Sequence, residues 1–157
     1  MSKEPAACVF CKIARREFSA HAIYEDELVF AFLDRAPIRP GHTLITPKVH
    51  YDYFDDLPLG LATRLLDIGQ RLAKAMKDLY GVPRVAMAFT GTDIPHAHAH
   101  IVPMVEATDI TSRRYIAEDK LTFGPLPPVP KEELEKQARL LVAALTTVDR
   151  TQRTAQF

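Results

Sequence analysis

Three histidines alternate with small apolar residues in the stretch IPHAHAHIVP, residues 94–103. Successive side chains of a strand point to opposite faces of a sheet, so His96, His98 and His100 would share one face. The intervening alanines and Ile101 would form the other face. The pattern predicts a strand with an apolar face for packing and a histidine face for chemistry.

Four further strands are predicted from short runs rich in aromatic and β-branched residues. The first begins at about Ala22, the second spans residues 27–34, and the third spans residues 42–48 after a Pro-Gly turn. These three would form an antiparallel meander. The fourth, RVAMAFTG at residues 84–91, directly precedes the histidine run.

Two amphipathic helices are predicted from apolar residues that recur at steps of three and four. The first ends at Gly81 and Pro83, and its apolar stripe comprises Leu61, Leu65, Ile68, Leu72, Met76 and Leu79. The second follows Pro130, and its stripe comprises Leu134, Ala138, Leu141 and Leu145. We expect the first helix to pack on the apolar face of the histidine strand.

These elements predict an α+β fold with an antiparallel sheet of about five strands, one long central helix and a C-terminal helix. Residues 1–104 would form the main domain. Residues 105–157 would form a C-terminal extension that packs on the same domain or on a partner chain. Its first part, residues 105–130, has weak periodicity and is predicted to be extended.

Composition limits the classes of function. A chain of 157 residues suits one compact domain, and 20 basic against 20 acidic residues give no net charge. This balance argues against nucleic acid or an anionic membrane as the partner. No signal or membrane segment is apparent, so the expected location is cytoplasmic. Both cysteines, Cys8 and Cys11, lie in one C-x-x-C, which suggests a metal or redox pair in a reducing compartment.

The run HAHAHIVP, residues 96–103, resembles the signature of the histidine triad (HIT) family, and residues 8–50 are similar to the first half of the same family. The resemblance covers Cys8 to Met104. It implies a HIT-like fold, a purine nucleotide as substrate and a homodimer. The third histidine, His100, points to the hydrolase branches, because the nucleotidyltransferase branch typically has glutamine there.

The resemblance also implies roles for individual residues. His98 would attack the α-phosphate as nucleophile, and a neutral imidazole suits that task. His100 and His42 would hold the phosphate oxygens and fix the His98 ring. Nucleotide binding would involve Phe10 and Phe32 at the base, Asp34 at the ribose hydroxyls, and Gly91 and Thr92 at the phosphate. The segment FTGTDIPH departs from the family pattern, because Asp93 stands where a hydroxyl residue is expected.

Zinc-containing family members imply a use for the cysteines. By that resemblance Cys8, Cys11, His50 and His96 would hold a structural zinc ion, since two thiolates and two imidazoles make a closed tetrahedral set. The alternative is a pair of buried free thiols. If His96 binds zinc, the acid for the leaving group would be His100, a nearby hydroxyl or the substrate itself.

The sequence therefore predicts a hydrolase that releases a nucleoside monophosphate through a covalent nucleotidyl-histidine. The substrate would be a phosphoramidate, a mixed anhydride or a dinucleoside polyphosphate. A zinc-stabilised nucleotide-binding or interaction protein with little catalysis is the alternative. A metal-binding strand protein without a nucleotide site is a third interpretation, which the pairing of Phe32 with Asp34 disfavours.

Overall fold

The structure is a computed structural model, and it describes residues 8–90, 94–106, 108–110 and 127–154. The helices are α1 (Val9–Ala14), α2 (Leu59–Tyr80) and α3 (Lys131–Thr154), with a 3-10 turn at Phe54–Asp56. The strands are β1 (Ala22–Glu25), β2 (Val29–Leu33), β3 (Thr43–Pro47), β4 (Arg84–Phe89) and β5 (Ala99–Met104). Among these described residues, none of the helices has the length and apolar character needed to span a bilayer.

The five strands form one antiparallel sheet in the order β1-β2-β3-β5-β4. This confirms the predicted α+β class and the meander of the first three strands. The long helix α2 packs on one face of the sheet, where Ile68 and Leu72 meet Ala99 and Ile101 in the main core. The apolar side of the histidine run is therefore the seat of this helix, as predicted.

The histidine strand is shorter than predicted, because β5 begins at Ala99 and only His100 of the three histidines lies within it. Before that point the Ala97 N–H donates to the Tyr51 carbonyl at 2.7 Å. The His96 Nε2–H also donates to the Pro47 carbonyl at 2.9 Å, at the end of β3. These contacts with Tyr51 and with the end of β3 replace regular strand pairing. His96 and His98 therefore lie in the segment that leads into β5.

Strand β2 also begins two residues later than predicted. The Asp26 carboxylate accepts the N–H groups of Leu28 and Val29 at 2.8 and 2.7 Å, which makes a turn immediately before the strand. An aspartate that bonds to the backbone two residues on is a common turn former. The first two residues of the predicted run, Glu27 and Leu28, therefore belong to this turn.

Helix α3 packs on α2 and the sheet of its own chain. Leu141 is fully buried, and Leu134, Ala138 and Leu145 lie in the same core as α2. The preceding segment also reaches the loop between β2 and β3, because the Val129 N–H donates to the Arg35 carbonyl at 3.2 Å. The helix therefore supports the end of the sheet where that loop lies.

Gly41 ends the loop between β2 and β3. Its φ of 89° lies in the left-handed region, and the phenol of Tyr80 occupies the space that a Cβ would need. Tyr80 in turn donates to Gln137 of α3 at 2.7 Å. A glycine at this position lets the loop pack closely against both helices immediately before His42.

Candidate functional site

The His98 ring is held in one tautomer. Its Nδ1 lies 2.7 Å from the backbone carbonyl of His96, and a carbonyl can only accept, so Nδ1 carries the proton. The neutral ring therefore presents a lone pair at Nε2. Phe10 packs edge-on against this ring with centroids 5.0 Å apart, and the His100 ring lies 4.9 Å away.

A chain of hydrogen bonds joins His42 to His100. The Ile38 N–H donates to His42 Nδ1 at 3.2 Å, so the proton of His42 resides on Nε2. That Nε2–H donates to His100 Nδ1 at 2.9 Å, which leaves His100 with its own proton on Nε2. The Thr90 backbone is a further hydrogen-bond partner of His100. Each ring is thus fixed in orientation by its neighbour.

Burial keeps this histidine pair neutral. Desolvation lowers the pKa of His42 to about 4; the His100 ring adds to the lowering, and the Asp34 carboxylate opposes it. Burial also lowers the pKa of His100, with the His98 ring as the next contribution. At neutral pH the two rings therefore act as oriented hydrogen-bond donors and acceptors.

Asp34 lies directly after β2, on the same side as His42. Its Oδ1 accepts the Ala36 N–H at 2.9 Å, and its Oδ2 lies 3.7 Å from His42 Nδ1. The Asp34 N–H donates to the His42 carbonyl at 2.9 Å, which closes the base of the loop. Oδ1 is thus used by the local turn. None of the hydrogen bonds found among the described residues ends on Oδ2.

Phe10 and Phe32 form an apolar wall beside His98. Their rings meet edge to face with centroids 5.6 Å apart, and both residues are 4% exposed. They belong to a small core cluster on the sheet face opposite α2, together with Phe30 and Leu44. The predicted base-binding rings therefore pack a core that directly borders the histidines.

Cys8, Cys11, His50 and His96 come together on the same sheet face, next to Phe10, and all four are buried. The Cys11 thiol lies 3.3 Å from His50 Nδ1 and 3.5 Å from His96 Nδ1. The Cys8 thiol lies 3.3 Å from His96 Nδ1. The predicted zinc ligands are therefore adjacent, although they are up to 88 residues apart in the chain.

The hydrogen bonds around this cluster fit a metal ion. His50 donates its Nε2–H to Asp52 at 2.8 Å, and His96 donates its Nε2–H to the Pro47 carbonyl. Both Nδ1 atoms therefore hold lone pairs in the neutral rings, yet they lie 3.2 Å apart and cannot hydrogen-bond to each other. Two imidazole lone pairs and two thiols that converge on one point are typical of a zinc site with outer-shell partners.

The protonation of the cluster leads to the same conclusion. Burial lowers the pKa of His96 to about 4, so the ring is a neutral ligand. Burial, with a smaller contribution from the neighbouring Cys8, raises the pKa of the Cys11 thiol to about 12. A bound cation offsets this cost by stabilising the thiolate, which is the form that coordinates zinc.

The His98 ring is oriented by the His96 carbonyl and not, as predicted, by His42 and His100. The Asp52 carboxylate, the Pro47 carbonyl and the Ile38 amide were also missed by the sequence analysis. The H-x-D spacing of residues 50–52 was a signal for the first. The two backbone groups carry no sequence signal. Two of the predicted phosphate contacts, Gly91 and Thr92, lie outside the described residues, as does Asp93.

Comparison with known proteins decides the family. The model of the HIT domain matches residues 15–107, which is more than half of the chain. The chain belongs to the HIT family. The structure of a Zn-bound histidine triad family protein from Mycobacterium smegmatis superimposes with a TM-score of 0.71 at 31% identity, covering 92% of this chain and 97% of that one. The HIT fold predicted from the histidine run is thus confirmed.

Two HIT relatives carry names of activities. Adenosine 5'-monophosphoramidase HNT1 of Saccharomyces cerevisiae is 39% identical over 99 residues, covering 62% of this chain and 63% of the yeast protein. Adenylylsulfatase HINT3 of Arabidopsis thaliana is 35% identical over 104 residues, covering 63% of this chain and 53% of the plant protein. The match therefore spans less than two thirds of the length of either enzyme.

Proposed function

We propose that this HIT protein is a nucleotide hydrolase in which His98 Nε2 attacks the α-phosphate of an adenylyl compound and adenosine monophosphate is released. The observation that carries the proposal is the 2.7 Å bond from His98 Nδ1–H to the His96 carbonyl. It keeps a lone pair on Nε2 without a separate base. A nucleophile held in its reactive tautomer is what covalent catalysis requires.

The reaction proceeds in two displacements. In the first, the Nε2 lone pair forms a bond to the α-phosphorus, the bond from phosphorus to the leaving group breaks, and the leaving group takes up a proton. In the second, water attacks the nucleotidyl-imidazole, the P–N bond to His98 breaks, and the water proton is released to solvent. His98 thereby returns to its starting state, and the net reaction consumes one water.

Donors for the phosphate oxygens come from the neutral pair His42 and His100. Because His42 donates to His100 Nδ1, His100 keeps a proton on Nε2 on the side of the ring that faces away from His42. That N–H also has the Thr90 backbone as a partner, and it would exchange this partner for substrate. It can then stabilise charge on the phosphoryl group or protonate the leaving group. His96 has neither role, because its Nε2–H is taken by Pro47 and its Nδ1 faces the thiols.

The nucleoside would bind against the apolar wall beside His98. Phe10 and Phe32 are proposed to form the apolar backing of a purine base, and the Asp34 Oδ2 would accept the neighbouring ribose hydroxyls. Gly91 and Thr92 are proposed to contact the phosphate. A cavity of about 90 Å³ that includes His98, Phe54 and Phe89 adjoins the nucleophile and offers room for the leaving group.

Zinc is proposed as the resident metal, with Cys8, Cys11, His50 and His96 as its ligands. When bound, zinc would supply no chemistry to the phosphate and would act as a structural link between the N-terminal segment and β5. The homodimer and the cytoplasmic location expected from the sequence stay predictions.

The names of two relatives favour adenylyl substrates with small leaving groups, since one is called a monophosphoramidase and the other an adenylylsulfatase. Adenosine 5'-phosphoramidate and adenylylsulfate are therefore the first substrates to test. A diadenosine polyphosphate is the third, because the same displacement at the α-phosphate would cleave it.

The experiment compares the wild-type protein with His98→Ala on these three compounds, with adenosine monophosphate release as the readout. His21→Ala is the control, because it removes a histidine outside the site. We expect turnover in the wild type and the control and a loss of at least about 10³-fold in His98→Ala. A radiolabelled adenylyl-protein should remain after an alkaline denaturing quench of the wild type and the control, but not of His98→Ala. Tight adenosine monophosphate binding without turnover of any compound would instead establish the nucleotide-binding alternative.

A further inference from the structure

Arg39 and Asp109 form an ion pair close to the candidate site, and its carboxylate is buried. Both Nε and Nη2 of the guanidinium donate to Asp109 Oδ1, at 2.8 and 2.6 Å. The other carboxylate oxygen, Oδ2, accepts the N–H groups of Val105 and Glu106 at 2.8 and 2.9 Å. The Asp109 side chain is only 5% exposed. Arginine thus ties the loop between β2 and β3 to the chain that leaves β5.

The loop held by this pair supplies the hydrogen bond that sets the His42 tautomer. Ile38, which donates its N–H to His42 Nδ1, is the residue directly before Arg39. The Arg39 carbonyl in turn accepts the His42 N–H at 3.0 Å. The Pro37–Ile38 and Arg39–Pro40 peptide units therefore both contact His42, so the position of the Arg39 segment determines how His42 is held.

We propose that Arg39 is a positioning residue for the hydrolysis, with Asp109 as its anchor. The pair holds the Ile38 amide against His42 Nδ1. The His42 proton therefore stays on Nε2, from which it is donated to His100. Without the pair the loop can move away from the ring, and His42 gains the Nδ1–H tautomer, which cannot donate to His100. The catalytic consequence rests on the proposed function, whereas the tautomer itself does not.

The anchor comes from outside the matched family region. The HIT domain match ends at residue 107, and Asp109 lies just beyond it. A second contact to the same loop, from the Val129 N–H to the Arg35 carbonyl, also comes from beyond that region. The C-terminal part of this chain therefore contributes to the orientation of His42 without touching it.

A purely structural role for the pair is the alternative, and the chain offers a closely matched control. Arg64 donates from Nε to the Asp26 carboxylate at 2.9 Å, and Asp26 also accepts two backbone N–H groups, from Leu28 and Val29. This second pair has the same construction but lies on the α2 face of the sheet. If ion-pair loss acts only through stability, Arg39→Gln and Arg64→Gln should behave alike.

The test uses the full-length, zinc-loaded protein and the variants Arg39→Gln, Asp109→Asn, the double variant and Arg64→Gln. Long-range ¹H–¹⁵N correlation spectra of the imidazole rings report the tautomer of His42 without substrate. Hydrolysis of adenosine 5'-phosphoramidate gives kcat and KM. Arg39→Lys, which retains the charge but not the two-nitrogen contact, serves as a second variant if Arg39→Gln folds poorly.

We expect the wild-type His42 signal to show the proton on Nε2 and the Arg39 and Asp109 variants to show a clear Nδ1–H population. For Arg39→Gln, kcat should fall by about tenfold with KM within about twofold, as for a group displaced slightly from its working geometry. The kcat of the double variant should be no lower than that of the more impaired single variant. Arg64→Gln should change neither the His42 tautomer nor kcat.

An unchanged His42 tautomer in both Arg39→Gln and Arg39→Lys would overturn the proposal, as would equal losses of kcat in Arg39→Gln and Arg64→Gln. If the wild-type protein hydrolyses no nucleotide, the proposed function fails, but the tautomer measurement still decides whether the pair positions His42. The two failures are therefore distinguishable.

Discussion

The backbone carbonyl of His96 accepts the Nδ1–H of His98 across 2.7 Å, while the side chain of His96 lies among the thiols of Cys8 and Cys11. One residue thus connects the candidate zinc site to the proposed nucleophile. The His96 ring is also held by the Pro47 carbonyl at the end of β3. Loss of the metal should therefore change the orientation of His98 as well as the stability of the N-terminal segment.

Replacing Cys11 with alanine should remove the metal, because this thiol contacts the Nδ1 atoms of both His50 and His96. We expect stoichiometric zinc in the wild-type protein and almost none in Cys11→Ala. The melting temperature should fall by on the order of 10 °C, since a structural zinc ion contributes several kcal/mol to folding. Elemental analysis and thermal unfolding measure the two effects.

The matched control for this experiment is Val102→Ala, which shortens a fully buried side chain in β5. It creates a cavity and lowers the melting temperature, but it should keep its zinc. The zinc assignment fails if the purified wild-type protein has two titratable free thiols, contains no metal, and melts at the same temperature with and without a chelator.

The stability of the protein should depend on pH through His42. Burial lowers its pKa to about 4 in the folded state, from 6.5 in an unfolded chain. Between these two values the unfolded chain binds a proton that the folded protein does not, so stability falls as the pH drops. The contribution of neutral His42 to the free energy of unfolding is therefore fully present above pH 6.5. About 2 kcal/mol of it is lost by pH 5.

Urea unfolding at pH 7 and pH 5 measures this contribution when wild type is compared with His42→Gln. The difference between the proteins isolates the contribution of His42, because the other histidines are present in both. We expect the variant to lose about 2 kcal/mol less than wild type between the two pH values. Identical losses would show that His42 is not buried in its neutral form.

Periodicity in the sequence predicted the sheet and both long helices, because alternation and three-to-four spacing record which face of an element is buried. It also placed His98 and His100 beside each other. It did not predict that β5 starts only at Ala99, since that boundary depends on hydrogen bonds to the distant residues Tyr51 and Pro47. The contact of Arg39 with Asp109 joins residues 70 positions apart, and no local pattern encodes it.

Asp34 should contribute to the binding of ribose. Asp34→Asn keeps an oxygen for the Ala36 N–H but removes the charge that would face the ribose hydroxyls. We expect kcat/KM for adenosine 5'-phosphoramidate to fall by about tenfold, the value of one hydrogen bond to a charged group. Steady-state kinetics on adenosine 5'-phosphoramidate and its 2',3'-dideoxy analogue provide the measurement.

The dideoxy substrate is the internal control for Asp34. Wild type should lose about tenfold when the hydroxyls are removed, whereas Asp34→Asn should lose little more, because the same interaction is already gone. Equal and independent losses would show that Asp34 acts on His42, from which its Oδ2 is 3.7 Å distant, and not on the ribose.

Helix α3 should fold as one unit with the sheet, although it lies outside the HIT domain match. Leu141 is fully buried against the α2 core, whereas its neighbour Leu140 is 39% exposed. Leu141→Ala should lower the free energy of unfolding by about 2–5 kcal/mol, because it leaves a cavity in the shared core. Leu140→Ala should stay within about 0.5 kcal/mol of wild type.

Urea unfolding followed by circular dichroism tests this pair of variants on the same helix. We expect a single transition in all three proteins, shifted only in Leu141→Ala. The segment before α3 is tied to the loop that leads to His42 by the Val129 and Arg35 contact, so helix and sheet should unfold together. A separate early transition in Leu141→Ala would mean that α3 unfolds alone. In that case the helix would not be the support that keeps this loop in place.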